Sequence, residues 1–150
     1  MIKVESLKEY KKILSKEDFE VLANKIFMIT KYLVLEYSGY KRWYFEKQLK
    51  NIGSIEREIL FVRNKEKLDE IIAVACLKKT TLEKKICTLY VVENFRSMGI
   101  GSALLSESFK FLGTTTPLIT FADYKLKFFE PFIKKYNWKL VQVIDKGYNN

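Results

Sequence analysis

The apolar positions in the first third of the chain follow the spacing of an amphipathic helix. One predicted face carries Phe19, Leu22, Ile26, Ile29 and Leu33. Their steps of three and four residues match the helical repeat, and Ser15 stands where an N-cap residue is expected. Ser38-Gly39 interrupts the pattern, and a second short helix is predicted through Trp43, Phe45 and Leu49, ending near residues 51–53.

The middle of the chain changes to strand-length runs rich in β-branched residues. These runs cover residues 58–62, 71–77 and 86–92, and their composition predicts three β-strands. The polar connectors, residues 64–70 and 78–85, are short. Consecutive strands are therefore expected to pair antiparallel.

The helical period returns after Gly101. The apolar face there carries Leu104 or Leu105, Ser108 or Phe109, and Leu112. A strand over residues 118–121, a helix and a final strand over residues 138–144 follow. The last helix is expected to bury Leu126, Phe129, Ile133 and Tyr136. A meander that continues into a β-α-β unit predicts an α/β protein with a mixed, mostly antiparallel sheet flanked by helices.

Composition indicates one globular domain. The chain has 150 residues, of which 48% are hydrophobic and 15% aromatic, and this length is sufficient to bury a core. No run reaches the ~18 uncharged apolar residues of a membrane-spanning helix. Residues 1–8 lack the apolar segment of a signal peptide. We therefore expect a cytoplasmic protein that does not engage a membrane.

The absence of histidine excludes several catalytic mechanisms. The chain has no histidine and two cysteines, Cys76 and Cys87. Ser-His-Asp and Cys-His catalysis are excluded, and two thiols alone do not form an ordinary zinc site, so no metal is expected. If the second hairpin is symmetric about residues 81–82, the two cysteines face each other across it. In a reducing compartment they are expected to stay thiols.

The net charge of +9 favours acidic partners such as a phosphorylated cofactor or nucleic acid. The lysines, however, are spread along the whole chain. Arginine, the better bidentate phosphate ligand, is limited to Arg42, Arg57, Arg63 and Arg96. Charge alone therefore does not select nucleic-acid binding.

The most informative segment joins the third strand to the following helix. Its sequence from Leu89 to Ser102 is LYVVENFRSMGIGS. Glycines at 99 and 101 let the backbone come close to a ligand, and the helix directs its unpaired N–H groups and positive dipole end at the same point. These features suit a pyrophosphate, to which Arg96 can add charge-assisted hydrogen bonds. The alternative is a tight strand-to-helix turn without a ligand.

Two other phosphate-binding loops fit this segment less well. The dinucleotide pattern GxGxxG requires a third glycine, and position 104 is leucine. The GxxxxGK pattern of the P-loop does not occur in the chain.

The segment from Arg96 to Gly101 resembles the (Q/R)xxGx(G/A) signature of the GNAT acetyltransferases. Residues 86–91 are similar to the strand that precedes that signature, and residues 117–122 resemble the strand that follows it. Residues 132–138 are similar to the family's Phe-Tyr-x-x-x-Gly-Phe stretch. The resemblance covers about residues 57–145.

This resemblance implies a GNAT fold and a site for acetyl-coenzyme A (acetyl-CoA) as co-substrate. Strand residues would pair through their backbone with the pantetheine arm, and the loop amides would hold the pyrophosphate. The sheet would splay between Val91 and Phe121, and an N–H of residues 90–92 would polarise the thioester carbonyl. The implied cofactor-binding residues are Leu89, Tyr90, Val91, Arg96, Ser97, Met98, Gly99, Ile100, Gly101 and Ser102.

One departure from the family affects the proposed chemistry. The tyrosine that protonates the departing thiolate in the family is replaced by Ile133, and the family's glycine by Asn137. Tyr124 is the substitute candidate, and an exposed loop tyrosine is the competing interpretation. Positioning of the reactants can supply a large rate gain without this acid, and solvent can protonate a thiolate.

For several other residues the sequence allows two roles. Trp43, Tyr44 and Phe45 either line an acceptor pocket or pack in the core. Glu58 and Glu70 either act as bases or lie at solvated strand ends.

We therefore expect one domain over residues 1–150, with a helical acceptor-side region at 1–55 and a cofactor-binding core at 57–145. Its expected activity is transfer of an acetyl group to a primary amine by a monomer or homodimer. The acceptor is a small molecule, a protein or an aminoacyl-tRNA. Two alternatives stay open: a non-catalytic acyl-CoA sensor, because of Ile133, and a basic RNA-binding adaptor, because of the charge.

Overall fold

A computed structural model describes residues 2–31, 33, 38–121 and 125–139 of the chain. The strands are β1 (Glu5–Ser6), β2 (Arg57–Asn64), β3 (Lys67–Lys79), β4 (Lys84–Val91) and β5 (Leu118–Ile119). The α-helices are α1 (Leu7–Ile13), α2 (Lys16–Thr30), α3 (Tyr40–Trp43), α4 (Ile100–Leu112) and α5 (Leu126–Tyr136). A π-helical segment (Tyr44–Leu49) continues α3, and a 3-10 turn (Glu93–Phe95) precedes α4. No helix in these ranges is long and apolar enough to cross a bilayer.

The strands form one sheet in the order β1-β2-β3-β4-β5. The first three pairings are antiparallel and the last, between β4 and β5, is parallel. The predicted mixed, mostly antiparallel α/β sheet is therefore confirmed, and the short strand β1 is an addition to it. Residues 140–144 of the predicted final strand lie outside the described residues.

Serine caps start the first two helices. Ser15 Oγ accepts the N–H of Asp18 at 3.1 Å, which confirms the predicted N-cap of α2. Ser6 Oγ accepts the N–H of Glu9 at 3.2 Å and caps α1. These bonds satisfy amides that have no acceptor inside the helix.

Each face of the sheet is covered by its own apolar layer. Helices α1, α2 and α3 pack on one face, where Leu22 and Ile26 meet Phe61 of β2. Helix α4 packs on the other, where Leu104 and Leu105 meet Ile86 of β4 and neighbouring residues. The α4 face predicted from sequence is confirmed, because Leu104, Leu105, Ser108, Phe109 and Leu112 are all buried.

The predicted face of α5 is wrong at its first position. Leu126 is exposed, and only Phe129 of the helix is fully buried. The residues that pack against the α4 layer are Phe128, Phe132 and Tyr136. The apolar face of α5 is therefore rotated relative to the prediction. Phe128 and Phe132, four residues apart, lie on the side that meets α4.

The β3–β4 hairpin contains a β-bulge at Cys87. Lys78 pairs with Lys85 and Leu77 with Ile86, as expected for symmetry about residues 81–82, but the next pair is Cys76 with Thr88. The predicted pairing of Cys76 with Cys87 is therefore wrong: Cys87 is the extra residue of the bulge. Both cysteines are free thiols.

Glu58 joins the start of α1 to the sheet. The residue is 5% exposed, and its carboxylate accepts hydrogen bonds from Ser6 Oγ (2.7 Å) and from the N–H groups of Lys8 (3.1 Å) and Ile59 (2.9 Å). The expectation of a solvated strand end is therefore wrong for Glu58, and its role as a base stays a prediction. Glu70 is half-buried and accepts a long bond of 3.4 Å from Asn64 Nδ2.

Burial raises the pKa of Glu58 above its ordinary value, although its three hydrogen bonds oppose the shift. The folded protein then holds this proton to a higher pH than the unfolded chain, so stability from this group is lost as pH rises through the raised pKa. We predict that, as pH rises through that range, the unfolding free energy of the wild type falls relative to that of Glu58→Gln, which cannot ionise at this position. Urea denaturation at a series of pH values measures it. A difference that moves toward the wild type as pH rises contradicts the prediction.

Candidate active site

A cleft opens where β4 and β5 part. The two strands pair only at Lys85–Leu118 and Ile86–Ile119. Strand β4 continues to Val91, whereas Thr120 and Phe121 do not pair with it. The cleft has a volume of about 480 Å³ and lies beside α3. Its lining residues are Leu33, Ser38, Gly39, Tyr40, Trp43, Lys85, Cys87, Thr88, Leu89, Thr120, Phe121, Lys125 and Phe129.

The edge of β4 that faces the cleft presents backbone groups of alternate residues. The N–H of Val92 donates to Ile72 O at 2.8 Å, so residues of the same parity, Thr88 and Tyr90, direct their backbone groups toward β3. Leu89 and Val91 direct theirs toward the open edge. Val91 O already accepts a bond from Arg96 Nε at 2.8 Å. An extended ligand can therefore pair with Leu89 and with the N–H of Val91.

The turn from β4 into α4 ends at a helix N-terminus. Ser97 and Gly99 both adopt left-handed backbone conformations, with φ of 68° and 84°. The first intrahelical bond runs from Ala103 N–H to Gly99 O at 3.0 Å. The amides of residues 100–102 therefore open the helix without an intrahelical acceptor and form a site suited to an anion.

The two glycines of this turn have different roles. A Cβ on Gly99 would meet only Ile2 Cδ1, at 3.6 Å, so this position requires glycine for its positive φ. A Cβ on Gly101 would lie 2.9 Å from Cζ of Phe132. Gly101 therefore makes room for the α5 ring against α4, a packing role that the sequence motif did not reveal.

Arg96 fastens the turn to its surroundings. Besides its bond to Val91 O, the guanidinium carbon lies 5.6 Å from the ring centre of Tyr90 and 5.4 Å from that of Phe128. These cation–π contacts hold the exposed side chain across the end of β4 and the face of α5. The sequence motif suggested a role for Arg96 in binding pyrophosphate, and the structure shows that this side chain also ties the turn to β4 and α5.

Besides Lys85 and Lys125, the cleft contains two neutral groups that can ionise, the Tyr40 hydroxyl and the Cys87 thiol. Tyr40 donates to Thr30 Oγ1 at 2.9 Å, and burial raises the pKa of Tyr40 above the ordinary tyrosine value. Burial also raises the pKa of the Cys87 thiol, and Lys85 opposes that shift. Neither group is set to act as a base or nucleophile at neutral pH.

The aromatic residues around α3 divide between cleft and core. Trp43 lines the cleft. Tyr44 is fully buried and donates to Ala23 O at 2.9 Å, and Phe45 packs against the same core. Trp43 therefore lines the cleft and also packs against the core, whereas Tyr44 and Phe45 belong to the core.

Tyr124 lies outside the described residues, although Phe121 and Lys125 on either side of it line the cleft. Ile133 lies on α5, and its hydrocarbon side chain has no acidic proton to donate. Asn137 ends α5 in the left-handed conformation, with φ of 54°. Asparagine tolerates that conformation better than most residues, which explains how it occupies a position that is glycine in the family's stretch.

Sequence reasoning missed several cleft residues, notably Tyr40, Lys85, Cys87 and Thr88. Lys85 was assigned to a polar connector, whereas β4 begins one residue before it. Alternation with the apolar Ile86 is the signal that could have placed Lys85 on the opposite face. The bulge at Cys87 has no comparable sequence signal.

The chain thus combines a mixed sheet that splays at one strand pair with a helix N-terminus suited to an anion. The chain matches the acetyltransferase (GNAT) family over residues 26–115. This match covers more than half of the chain, which therefore belongs to the GNAT acetyltransferase family. The resemblance and the GNAT fold predicted from the sequence are confirmed.

Solved structures with the same fold include an aminoglycoside acetyltransferase from an uncultured soil metagenomic sample, at 17% identity and a TM-score of 0.58, covering 95% of this chain and 92% of that one. An acetyltransferase of Pyrococcus furiosus aligns at 17% identity and a TM-score of 0.60, covering 96% and 97%. Glucosamine-6-phosphate N-acetyltransferase from Arabidopsis thaliana aligns at 13% identity and a TM-score of 0.52, covering 100% and 99%.

No curated protein sequence matches the chain at a significant level. Within the described residues there is no cluster of three or more side chains of the kinds that hold a metal ion.

Gly99 offers a test of the turn. We predict that Gly99→Ala lowers the free energy of unfolding by about 1–2 kcal/mol, the cost of a left-handed conformation for a residue with a Cβ. Gly99→Asn should cost less, because asparagine tolerates this conformation. Urea denaturation of the three proteins measures the order, and an alanine variant at least as stable as the asparagine variant contradicts it.

Proposed function

We propose that the protein transfers an acetyl group from acetyl-CoA to a primary amine bound in the cleft beside β4. One observation carries this proposal. The open edge of β4 runs from the cleft, at Cys87 to Leu89, to Val91, whose carbonyl is tied through Arg96 to the turn that starts α4. The cleft edge and the helix N-terminus thus provide adjoining sites for the pantetheine arm and the pyrophosphate of acetyl-CoA.

The proposed binding mode follows the backbone groups. The pantetheine arm lies along β4 and pairs with Leu89 and Val91, in the manner of an added strand. The pyrophosphate binds the amides of residues 100–102 at the positive end of α4. The thioester then reaches the cleft, where residues 1–55 cover the acceptor side and residues 57–145 hold the cofactor.

The proposed reaction is direct transfer. The neutral amine attacks the thioester carbonyl, a C–N bond forms and the C–S bond breaks, giving an amide and coenzyme A. A backbone N–H on the open edge of β4 stabilises the oxyanion. The amine proton passes to solvent, and the thiolate receives a proton from Tyr124 or from water. Holding both reactants in one cleft supplies much of the rate gain.

The structural neighbours support the reaction class without selecting an acceptor. By name they act on aminoglycosides and on glucosamine 6-phosphate. Both names describe acetyl transfer, and their acceptors differ in size and charge. The acceptor of this protein has to be inferred from its own cleft.

The proposed anion site can be tested by placing a negative charge in the first turn of α4, where it does not destabilise the helix. We predict that Ser102→Asp weakens acetyl-CoA binding about tenfold or more, or ~1.4 kcal/mol, because its carboxylate repels the pyrophosphate. The same carboxylate in the first helical turn favours the helix, so folding is retained. Ser106→Asp, one turn further along and exposed, is the matched control. Calorimetric titration with acetyl-CoA measures all three proteins.

Equal affinities of the Ser102 and Ser106 variants for acetyl-CoA would show that the N-terminus of α4 is not part of the binding site. A wild type that does not bind acetyl-CoA would overturn the proposed function. Binding without thiol release over a broad amine panel would favour the acyl-CoA sensor, the alternative that Ile133 supports.

Tyr124 is the proposed proton donor to the departing thiolate, with an exposed loop tyrosine as the competing interpretation. We predict that Tyr124→Phe lowers kcat by about 100-fold, the lower range for loss of a general acid, with acetyl-CoA affinity retained. The variant should also lose the fall in kcat at high pH that ionisation of the tyrosine causes. A pH profile of kcat with parallel calorimetry measures this. An unchanged kcat would assign the proton to solvent.

A further inference from the structure

A row of cations crosses three strands beside the cleft. Arg57 of β2 pairs with Lys78 of β3, and Lys78 pairs with Lys85 of β4. The adjacent pair, Leu77 with Ile86, packs against α4 on the other face. Because side chains alternate along a strand, the three cations project from the face that α1, α2 and α3 cover, where the cleft also lies.

Like charges directly opposite each other destabilise a sheet, and this row has little compensation. Lys78 forms an ion pair with Glu83 at 2.9 Å. Arg57 bonds to the neutral Gln48 Oε1 at 2.8 Å. Across the described residues, no carboxylate lies within ion-pair distance of Lys85. The row therefore carries excess positive charge at its cleft end.

The cleft continues this row with a second cation and apolar walls. Lys85 and Lys125 both line it. Tyr40 and Trp43 form one wall, with ring centres 5.7 Å apart. Phe121 and Phe129 form another and stack at 4.3 Å. The described lining thus combines ring surfaces with positive charge.

We propose that the amine acceptor has an apolar body and carries an anionic group, a carboxylate or a phosphate, which binds Lys85. This inference rests on the proposed function and names the substrate class of the same site. Aromatic walls hold the apolar body, and the anion relieves the repulsion along the Arg57–Lys78–Lys85 row. Polycationic amines are disfavoured for the same electrostatic reason.

The same charges assist the chemistry. A cation near the substrate ammonium favours its neutral form, and only the neutral amine attacks the thioester. The anionic group thus positions the acceptor beside cations that also help to deprotonate it.

Matched amine pairs test the proposal. Phenethylamine and phenylalanine differ by a carboxylate, and tyramine and its phosphate ester O-phosphotyramine differ by a phosphate, so that all four carry an apolar ring; spermidine serves as the polycation. We expect the anionic member of at least one pair to have a kcat/KM about tenfold higher or more. Carboxylate and phosphate sources are distinguished by which pair shows the preference. Thiol release from acetyl-CoA measures each rate.

Lys85→Gln should reduce the anionic-to-neutral ratio of the preferred pair about tenfold, the scale of one partly screened ion pair. Lys84→Gln is the matched control, because Lys84 is the exposed neighbour on β4 and projects from the opposite face. It removes the same charge but should leave the ratio unchanged. If no amine is turned over, calorimetry of the same pairs with the CoA-bound protein replaces the rates.

Equal preference for the members of both pairs, a preference for spermidine, or equal losses in the Lys84 and Lys85 variants would overturn the proposal. Titration of each protein with acetyl-CoA separates the two hypotheses. If the wild type does not bind acetyl-CoA, the proposed function fails. If it binds acetyl-CoA without preferring anionic acceptors, only the inference about the acceptor fails.

Discussion

The site depends on the parting of β4 from β5. Two parallel residue pairs join the strands at Lys85 and Ile86, and beyond them β3 is the only strand paired with β4 among the described residues. A strand edge with unpaired N–H and C=O groups normally invites another strand. Here that edge borders the cleft, so its hydrogen-bonding groups are available to the pantetheine arm that we propose. The bulge at Cys87 shifts the register at the same point.

Two further features surround this edge. The N-terminus of α4 concentrates amides and positive potential beyond the end of β4, while the Arg57–Lys78–Lys85 row concentrates positive charge at its beginning. Rigid packing holds both in place: Phe132 fills the space beside Gly101, and Gln48 donates to the carbonyls of Glu58 and Leu77. The apolar layers on both faces thus hold in place the backbone groups and cations of a cleft whose walls are partly aromatic.

Sequence patterns predicted the parts of the fold that local physics determines. The periodicity of α4 and the β-branched runs of β2, β3 and β4 each specify one element, and the glycine-bearing turn specifies the helix N-terminus. Local patterns do not encode the cleft, because it depends on where two distant strands stop pairing; the family resemblance alone implied it, as a splay between Val91 and Phe121. The bulge, the burial of Glu58 and the position of Lys85 likewise depend on tertiary neighbours. The contact of Gly101 with Phe132 joins residues on different helices, which no local pattern encodes.

The most direct measurement is a crystal structure of the protein with acetyl-CoA. We predict that the pantetheine arm hydrogen-bonds to the backbone of Leu89 and Val91, with the thioester in the cleft. The pyrophosphate oxygens should lie at ~3 Å, hydrogen-bond distance, from the amides of residues 100–102. A cofactor bound on another surface, or a thioester turned away from the cleft, would contradict the role assigned to the open edge of β4.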